Sequence, residues 1–223
     1  MTPTLTSLID TAAGVVFDFD GTLAELTIDF PPLYTRVFEM SQKYDVDTTR
    51  LTERYLIEVI DEIASIISGD DGAKFRRDAL DMIIAEELNA AKNASLFPGA
   101  RQLIRALKAR GKRVALVTRN CRDAVLTVYP EITSDVDVFL PRDDVKRIKP
   151  DPEHLQRALF LMGTEAEMSI MVGDHPIDVT SAQAVGMESV GVLTGKASHD
   201  DLKSAGALFV LDRASDMIEH LTD

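Results

Sequence analysis

Two aspartates one residue apart, Asp18 and Asp20, follow an apolar run in "GVVFDFDGTLAEL" and precede a Gly-Thr-Leu turn. Like charges this close repel, and burying either carboxylate costs several kcal/mol without a compensating charge. More chemistry-bearing residues recur further along: Thr118, Arg119 and Asn120 after "RVALV", Lys149 in "RIKPDP", and Asp174 and Asp178 after "MSIMV". Clustered carboxylates suit a hard cation, and magnesium takes oxygen from one or two carboxylates, water and substrate phosphate. Beside such a cation Asp18 stays ionised and can attack phosphorus as a nucleophile. Asp20 can then protonate the leaving oxygen and later activate the water that breaks the acyl-phosphate. Lys149 would neutralise the arriving phosphate, with Thr118 and the N–H groups of the following helix start adding hydrogen bonds. Taken singly, each residue has a plainer reading: strand-end aspartates are commonly turn residues, Thr118 an N-cap, Lys149 a surface lysine and Asp178 a first-turn carboxylate. The four groups together outweigh those readings.

Chemistry at these positions needs elements that bring them to one place. Val15 to Phe19 reads as a short buried strand. From Pro31 to Lys92 the texture is helical: "LTERYLIEVIDEIASII" puts Leu51, Tyr55, Leu56, Val59, Ile60, Ile63 and Ile67 on one face, and "RRDALDMIIAEELNAAK" repeats the pattern after a "SGDDG" turn. Beyond "LFPGA" strands and helices alternate. Strands are expected in "RVALVT", "DVDVFL", "MSIMVG", "SVGVL" and "ALFVL"; helices in "ARQLIRALKA", "CRDAVLTVY", "DPEHLQRALFLMG", "PIDVTSAQAVGM" and "SHDDLKSAG". Alternation of this kind predicts an α/β fold, a doubly wound parallel sheet covered on both faces. Residues 1–23 and 96–223 form the expected core domain, and residues 24–95 an inserted α-helical domain. In such sheets ligands bind at the carboxyl ends of the strands, where Asp18, Thr118, Lys149 and Asp174 all fall.

"DFDGTL", "LVTRN", "IKPDP" and "VGDHPID" resemble the four ordered motifs of the haloacid dehalogenase-like (HAD) hydrolase superfamily. The helical insert after the first motif resembles the cap of its phosphoglycolate phosphatase-like branch. The resemblance covers nearly the whole chain. It implies a Rossmann-like core with a cap domain, Asp18 as nucleophile, and Asp20 as general acid/base and as a metal ligand through its backbone carbonyl. It further implies that Thr118 and Lys149 bind the transferring phosphate, with Phe19, Arg119 and Asn120 in the same phosphate-binding set. Asp174 would complete the Mg2+ site, and Asp178 would support it or join it as a ligand. Ala24, Glu25, Arg119, His175 and Pro176 depart from residues common in relatives, and none of these departures removes a catalytic group.

The expected activity is a magnesium-dependent phosphatase acting on a small phosphorylated metabolite through an aspartyl-phosphate. A phosphomutase shares the same core residues, and a catalytically quiet binding protein of the same fold is the alternative outside catalysis. A dehalogenase would have no need of Asp20, and phosphonate hydrolysis needs a cap lysine, which nothing in the sequence singles out among Lys43, Lys74 and Lys92.

Composition narrows the remaining classes. A net charge of −13 argues against nucleic-acid and anionic-membrane partners, which require excess Lys and Arg. No apolar run is long enough to span a bilayer, and "MTPTLTSLIDTAAG" lacks the basic start and apolar stretch of a secretory signal. Cys121, the single cysteine, excludes an intrachain disulfide and fits a cytoplasmic setting. A monomer or homodimer is expected. Lys74, Arg76 and Arg77 read as a solvated helix start, Cys121 as structural, and His154, His199 and His220 as surface histidines.

Overall fold

The computed structural model describes residues 4–26 and 28–221; expectations that reach residues 1–3, Thr27 or residues 222–223 lie outside them. The chain divides into two compact units, Met1–Thr27 with Ala91–Asp223, and Ile28–Ala90.

The first unit begins with α1 (Leu5–Thr11) and β1 (Gly14–Phe17), and the second unit carries α2 (Phe30–Ser41), α3 (Leu56–Ile67) and most of α4 (Gly69–Ala91). The first unit resumes with α5 (Ala100–Ala109), β2 (Arg113–Val117), α6 (Arg122–Val128), α7 (Ile132–Asp135) and β3 (Val138–Leu140). It finishes with α8 (Pro152–Met162), β4 (Ser169–Gly173), α9 (Pro176–Val185), β5 (Glu188–Val192), α10 (His199–Ala205) and β6 (Phe209–Leu211).

All strand pairs are parallel, in the order β3-β2-β1-β4-β5-β6. Side chains alternate across the pleat and so build two apolar layers. Val15, Phe17, Leu116, Val172 and Val190 pack with Leu103, Ile104 and Leu107 of α5, while Val16, Ala115, Val117 and Met171 pack with Leu155, Ala158 and Leu159 of α8 and Ala182 of α9. The doubly wound parallel sheet expected from the alternation is the observed fold. Its strand order reverses between β1 and β4, which puts the crevice of such a sheet beside Asp18 and Asp174.

Local chemistry sets the element ends near that crevice. β1 stops at Phe17, two residues short of the sequence-based limit. Asp18 N–H still pairs with the Val172 carbonyl at 2.9 Å; the Phe19 carbonyl then accepts from Thr22, Leu23 and Ala24 and turns the chain. α8 is capped by Asp151, whose side chain accepts from Glu153 N–H, with Pro152 at its first position. α9 is capped by His175, whose Nδ1 accepts from Ile177 N–H at 3.1 Å, while Asp178 reaches back to the His175 N–H at 3.2 Å. "DVDVFL" is strand only from Val138, because Ile132–Asp135 closes a helical turn first.

The second unit differs from its sequence pattern in two places. α3 starts at Leu56 instead of Leu51: the Glu62 carboxylate accepts from the N–H groups of Thr52 and Glu53 at 3.0 Å and holds that segment out of the helix. "SGDDG" is not a loop: from Gly69 on it is the first turn of α4, since Asp70 and Asp71 favour a helix N-terminus as much as a turn, and the break from α3 is confined to Ser68 and Gly69, with φ of 60° and 56°. The unit boundaries fall at 27/28 and 90/91, whereas the composition change lies at 23/24 and 95/96. The two crossing segments pair with each other at the core, Glu25 N–H to the Ser95 carbonyl at 2.8 Å and Phe97 N–H to the Leu23 carbonyl at 2.9 Å. No helix among the described residues is long and apolar enough to cross a membrane.

Candidate active site

Asp18 directly follows β1 and Asp174 directly follows β4, and these strands are neighbours in the sheet. Asp178 joins them from the first turn of α9. The three carboxylates are buried, and each offers one oxygen such that all three atoms lie within 4.8 Å of one another. Lys149 reaches the same point from the loop before α8. Its fully buried Nζ donates to Asp18 Oδ1 at 2.7 Å and to Asp178 Oδ1 at 2.6 Å. Both oxygens of Asp178 are thereby engaged, Oδ1 by Lys149 and Oδ2 by the His175 N–H.

Burial raises the Asp18 pKa to about 6, with Lys149 pulling it down and Asp178 adding to the rise. Burial, then repulsion from Asp18 and Asp178, lifts Asp174 to about 8. Burial also works against the Lys149 ammonium, but Asp178 and Asp18 overcome it and hold its pKa above the ordinary lysine value. Three carboxylates against one ammonium leave two negative charges uncompensated when all four groups are ionised, which one divalent cation would balance. An oxygen-only donor set of this kind fits magnesium.

The phosphate-binding candidates surround this group. The Phe19 N–H lies near the Asp18 carboxylate and helps to lower its pKa. Thr118, buried at the end of β2, accepts from Asn120 N–H at 3.0 Å. Asn120 Nδ2 donates to both oxygens of Asp20, at 3.0 and 3.1 Å. The Asp20 side chain stands outside the three-carboxylate cluster, so its expected metal contact falls to its backbone carbonyl alone. The Arg119 guanidinium donates to the Lys149 carbonyl. Cys121 is buried as the N-cap of α6.

Several residues join the site beyond the expected catalytic, phosphate-binding and metal-binding sets, Gly21 and Thr22 among them at the strand end where the sequence places them. Thr22 Oγ1 lies 3.1 Å from Asp174 Oδ1 and 3.4 Å from Asp18 Oδ2, a hydroxyl between two acids. Thr194 Oγ1 donates to the Gly21 carbonyl at 2.5 Å. A Cβ on Gly195 would come 1.7 Å from Asp174 Oδ2, and one on Gly21, where φ is +80°, would come 2.6 Å from it. The β5 loop therefore closes around Asp174, and the rule that strand ends carry the site points to it as it does to the other four. His154 is a correction: expected on the surface, it is fully buried. It shares the inward stripe of α8 with Leu155, Ala158, Leu159 and Met162, a helical spacing visible in the sequence. Lys74 and Arg76 pair with Asp78 and Asp61 on exposed surface, as a solvated helix start would.

Residues 15–192 match the family model described as haloacid dehalogenase-like hydrolase. Among curated proteins, the Pyrophosphatase PpaX of Bacillus cereus is 34% identical over 127 residues, 55% of this chain and 57% of that protein, so the match spans little more than half of the relative's length. Among solved structures, a hydrolase from Pseudomonas syringae superposes with a TM-score of 0.67 at 21% identity, covering 93% of this chain and 97% of that one. A predicted phosphoglycolate phosphatase from Haemophilus somnus gives 0.63 at 18% identity, covering 94% and 97%. At those identities the two structures speak for the fold.

Proposed function

Because the chain belongs to the haloacid dehalogenase-like hydrolase family, we propose that it is a cytoplasmic, magnesium-dependent phosphatase of small phosphorylated metabolites, working through an aspartyl-phosphate on Asp18. The observation that carries this reading is the Lys149 ammonium bridging Asp18 and Asp178 beside Asp174 at adjacent strand ends. A binding role alone gives no reason to bury three carboxylates around one lysine, an arrangement that costs stability unless a cation completes it.

In the proposed mechanism Lys149 orients Asp18 through Oδ1 and neutralises charge on the arriving phosphate. An Asp18 oxygen attacks phosphorus, the bond to the leaving oxygen breaks, and Asp20 gives that oxygen its proton. Asp20 then takes a proton from water as the water attacks phosphorus, which breaks the acyl-phosphate bond and restores Asp18. Asn120 keeps Asp20 turned for both transfers. Thr118 and the N–H groups opening α6 hold phosphate oxygens, and Asp178 fixes Lys149. Asp18 and Asp174, with the Asp20 carbonyl, would hold magnesium, which supplies Lewis-acid charge neutralisation at the phosphoryl oxygens. The helical unit Ile28–Ala90 takes the part of a cap domain in this reading, and the choice of leaving group falls to it.

The test is a panel of phosphate esters and inorganic pyrophosphate, the last suggested by the name of the Bacillus relative, assayed with and without magnesium. Wild type should release phosphate only with the metal, and Asp18→Asn should lose turnover by several orders of magnitude. Equal turnover by Asp18→Asn would sink the mechanism. Transfer of phosphate back to the same sugar, without release, would identify a phosphomutase instead.

A further inference from the structure

The Leu140 carbonyl, at the end of β3, accepts two hydrogen bonds. One comes from the Thr118 N–H at 3.1 Å and the other from His154 Nε2, also at 3.1 Å. The opposite ring nitrogen, Nδ1, accepts from the Lys149 N–H at 3.3 Å. A carbonyl can only accept, so Nε2 carries the proton and Nδ1 the lone pair; one neutral tautomer satisfies both contacts. Neutrality is enforced: burial, then the Lys149 charge, pushes the His154 pKa down to about 3, with Arg119 adding to the push against the Leu140 carbonyl.

The other polar group of the Lys149 backbone is held as well. Its carbonyl accepts from the Arg119 guanidinium, and the Arg119 carbonyl accepts from Arg142 Nη1 at 2.8 Å. Lys149 therefore meets Asp18 and Asp178 through a flexible four-carbon stem whose base is fixed at both N–H and C=O. Burying an imidazole on the α8 stripe that also carries Leu155, Ala158 and Leu159 has a desolvation cost that an apolar side chain would avoid, and its two hydrogen bonds offset that cost.

We infer that His154 is a positioning residue for phosphoryl transfer, tying the Lys149 backbone to the same β3 carbonyl that fixes Thr118. The two phosphate-binding groups then share one anchor, and their spacing is set by the sheet instead of by the loop that carries Lys149. This inference rests on the phosphatase reading for the roles of Lys149 and Thr118.

Three full-length variants test it, with magnesium and para-nitrophenyl phosphate. His154→Leu removes both bonds, His154→Asn leaves an acceptor near the Nδ1 position, and His154→Gln leaves a polar group near the Nε2 position. A displacement of about 1 Å costs on the order of a hundredfold in rate, so His154→Leu should lower kcat by roughly ten- to a hundredfold with KM nearly unchanged. His154→Asn should recover most of that loss and His154→Gln should not. A folded His154→Leu variant with wild-type kcat overturns the proposal, as does equal rescue by Asn and Gln. If His154→Leu does not fold, the Asn and Gln variants decide alone.

Failure of the phosphatase reading is separable, because it would appear first as a wild type without turnover. The clamp is then read in the substrate-free protein, from solvent exchange of the Lys149 ammonium followed by nitrogen-15 NMR. Exchange at least roughly tenfold faster in His154→Gln than in His154→Asn supports the clamp, a factor equivalent to about 1.4 kcal/mol of opening free energy. Equal exchange overturns it.

Discussion

Asn120 grips Asp20 with one nitrogen: Nδ2 lies 3.0 Å and 3.1 Å from the two carboxylate oxygens, while its Oδ1 accepts from Cys121 N–H at 2.8 Å. That second bond fixes which way the amide faces, because only the oxygen can accept at the opening of α6. The end of β2 thus sets the orientation of a carboxylate that follows β1.

The isosteric change Asn120→Asp keeps the acceptor for Cys121 and turns the donor facing Asp20 into a second carboxylate. General acid–base catalysis contributes about 10²–10⁴-fold, so a misdirected Asp20 should lower kcat by roughly ten- to a hundredfold with KM little changed. Steady-state kinetics on whichever phosphate ester wild type turns over would check this, and an unaltered kcat would remove Asn120 from the mechanism.

Gly195→Ala should damage the site without touching a charged residue. Its new Cβ would sit 1.7 Å from Asp174 Oδ2 and 2.5 Å from Asp174 Cγ, so the carboxylate has to move. Magnesium affinity measured by calorimetry is expected to fall about 10–100-fold, the usual scale for disturbing a ligand's support. Unchanged affinity would mean that Asp174 is not a ligand.

Magnesium should stabilise the fold, and more so in mild base than in mild acid. Asp174 has its native pKa raised to about 8, so the folded state holds a proton there that the unfolded chain has already lost above its ordinary carboxylate value. Metal-free stability from this group is therefore lost as pH rises through about 8, whereas the ion must displace that proton to bind. Thermal midpoints with and without magnesium should diverge between about pH 5 and about pH 8, and Asp174→Asn should abolish the divergence.

His154 gives the opposite slope. Its native pKa is depressed to about 3 from an ordinary value near 6.5. Between those limits the unfolded chain binds the extra proton, so the contribution is complete above about 6.5 and is lost as pH falls toward 3, by up to ~1.4 kcal/mol per pH unit. Wild type should lose stability on acidification faster than His154→Asn in denaturant titrations. Parallel curves would contradict the buried neutral imidazole.

The sequence by itself determined the alternation of strands and helices, and with it the parallel sheet; it also placed Asp18, Thr118, Lys149 and Asp174 at strand ends. Those features are local, since short β-branched runs and spaced apolar stripes have only a few ways to bury themselves, and strand ends in such a sheet converge. Boundaries were less legible where one residue type serves two structures. Asp70 and Asp71 suit a turn or a helix start, and Leu51 fits a helical stripe that the Glu62 carboxylate interrupts. Tertiary structure alone decided the pairings across long separations. Lys149 meets Asp18 across 131 residues, Thr22 meets Asp174 across 152, and Thr194 reaches Gly21 across 173. It also turned His154 inward, to a place where one imidazole answers a β3 carbonyl and the Lys149 amide at once. A residue's partners depend on which strand ends become neighbours, and that order, β3-β2-β1-β4-β5-β6, arises only when both faces of the sheet are covered.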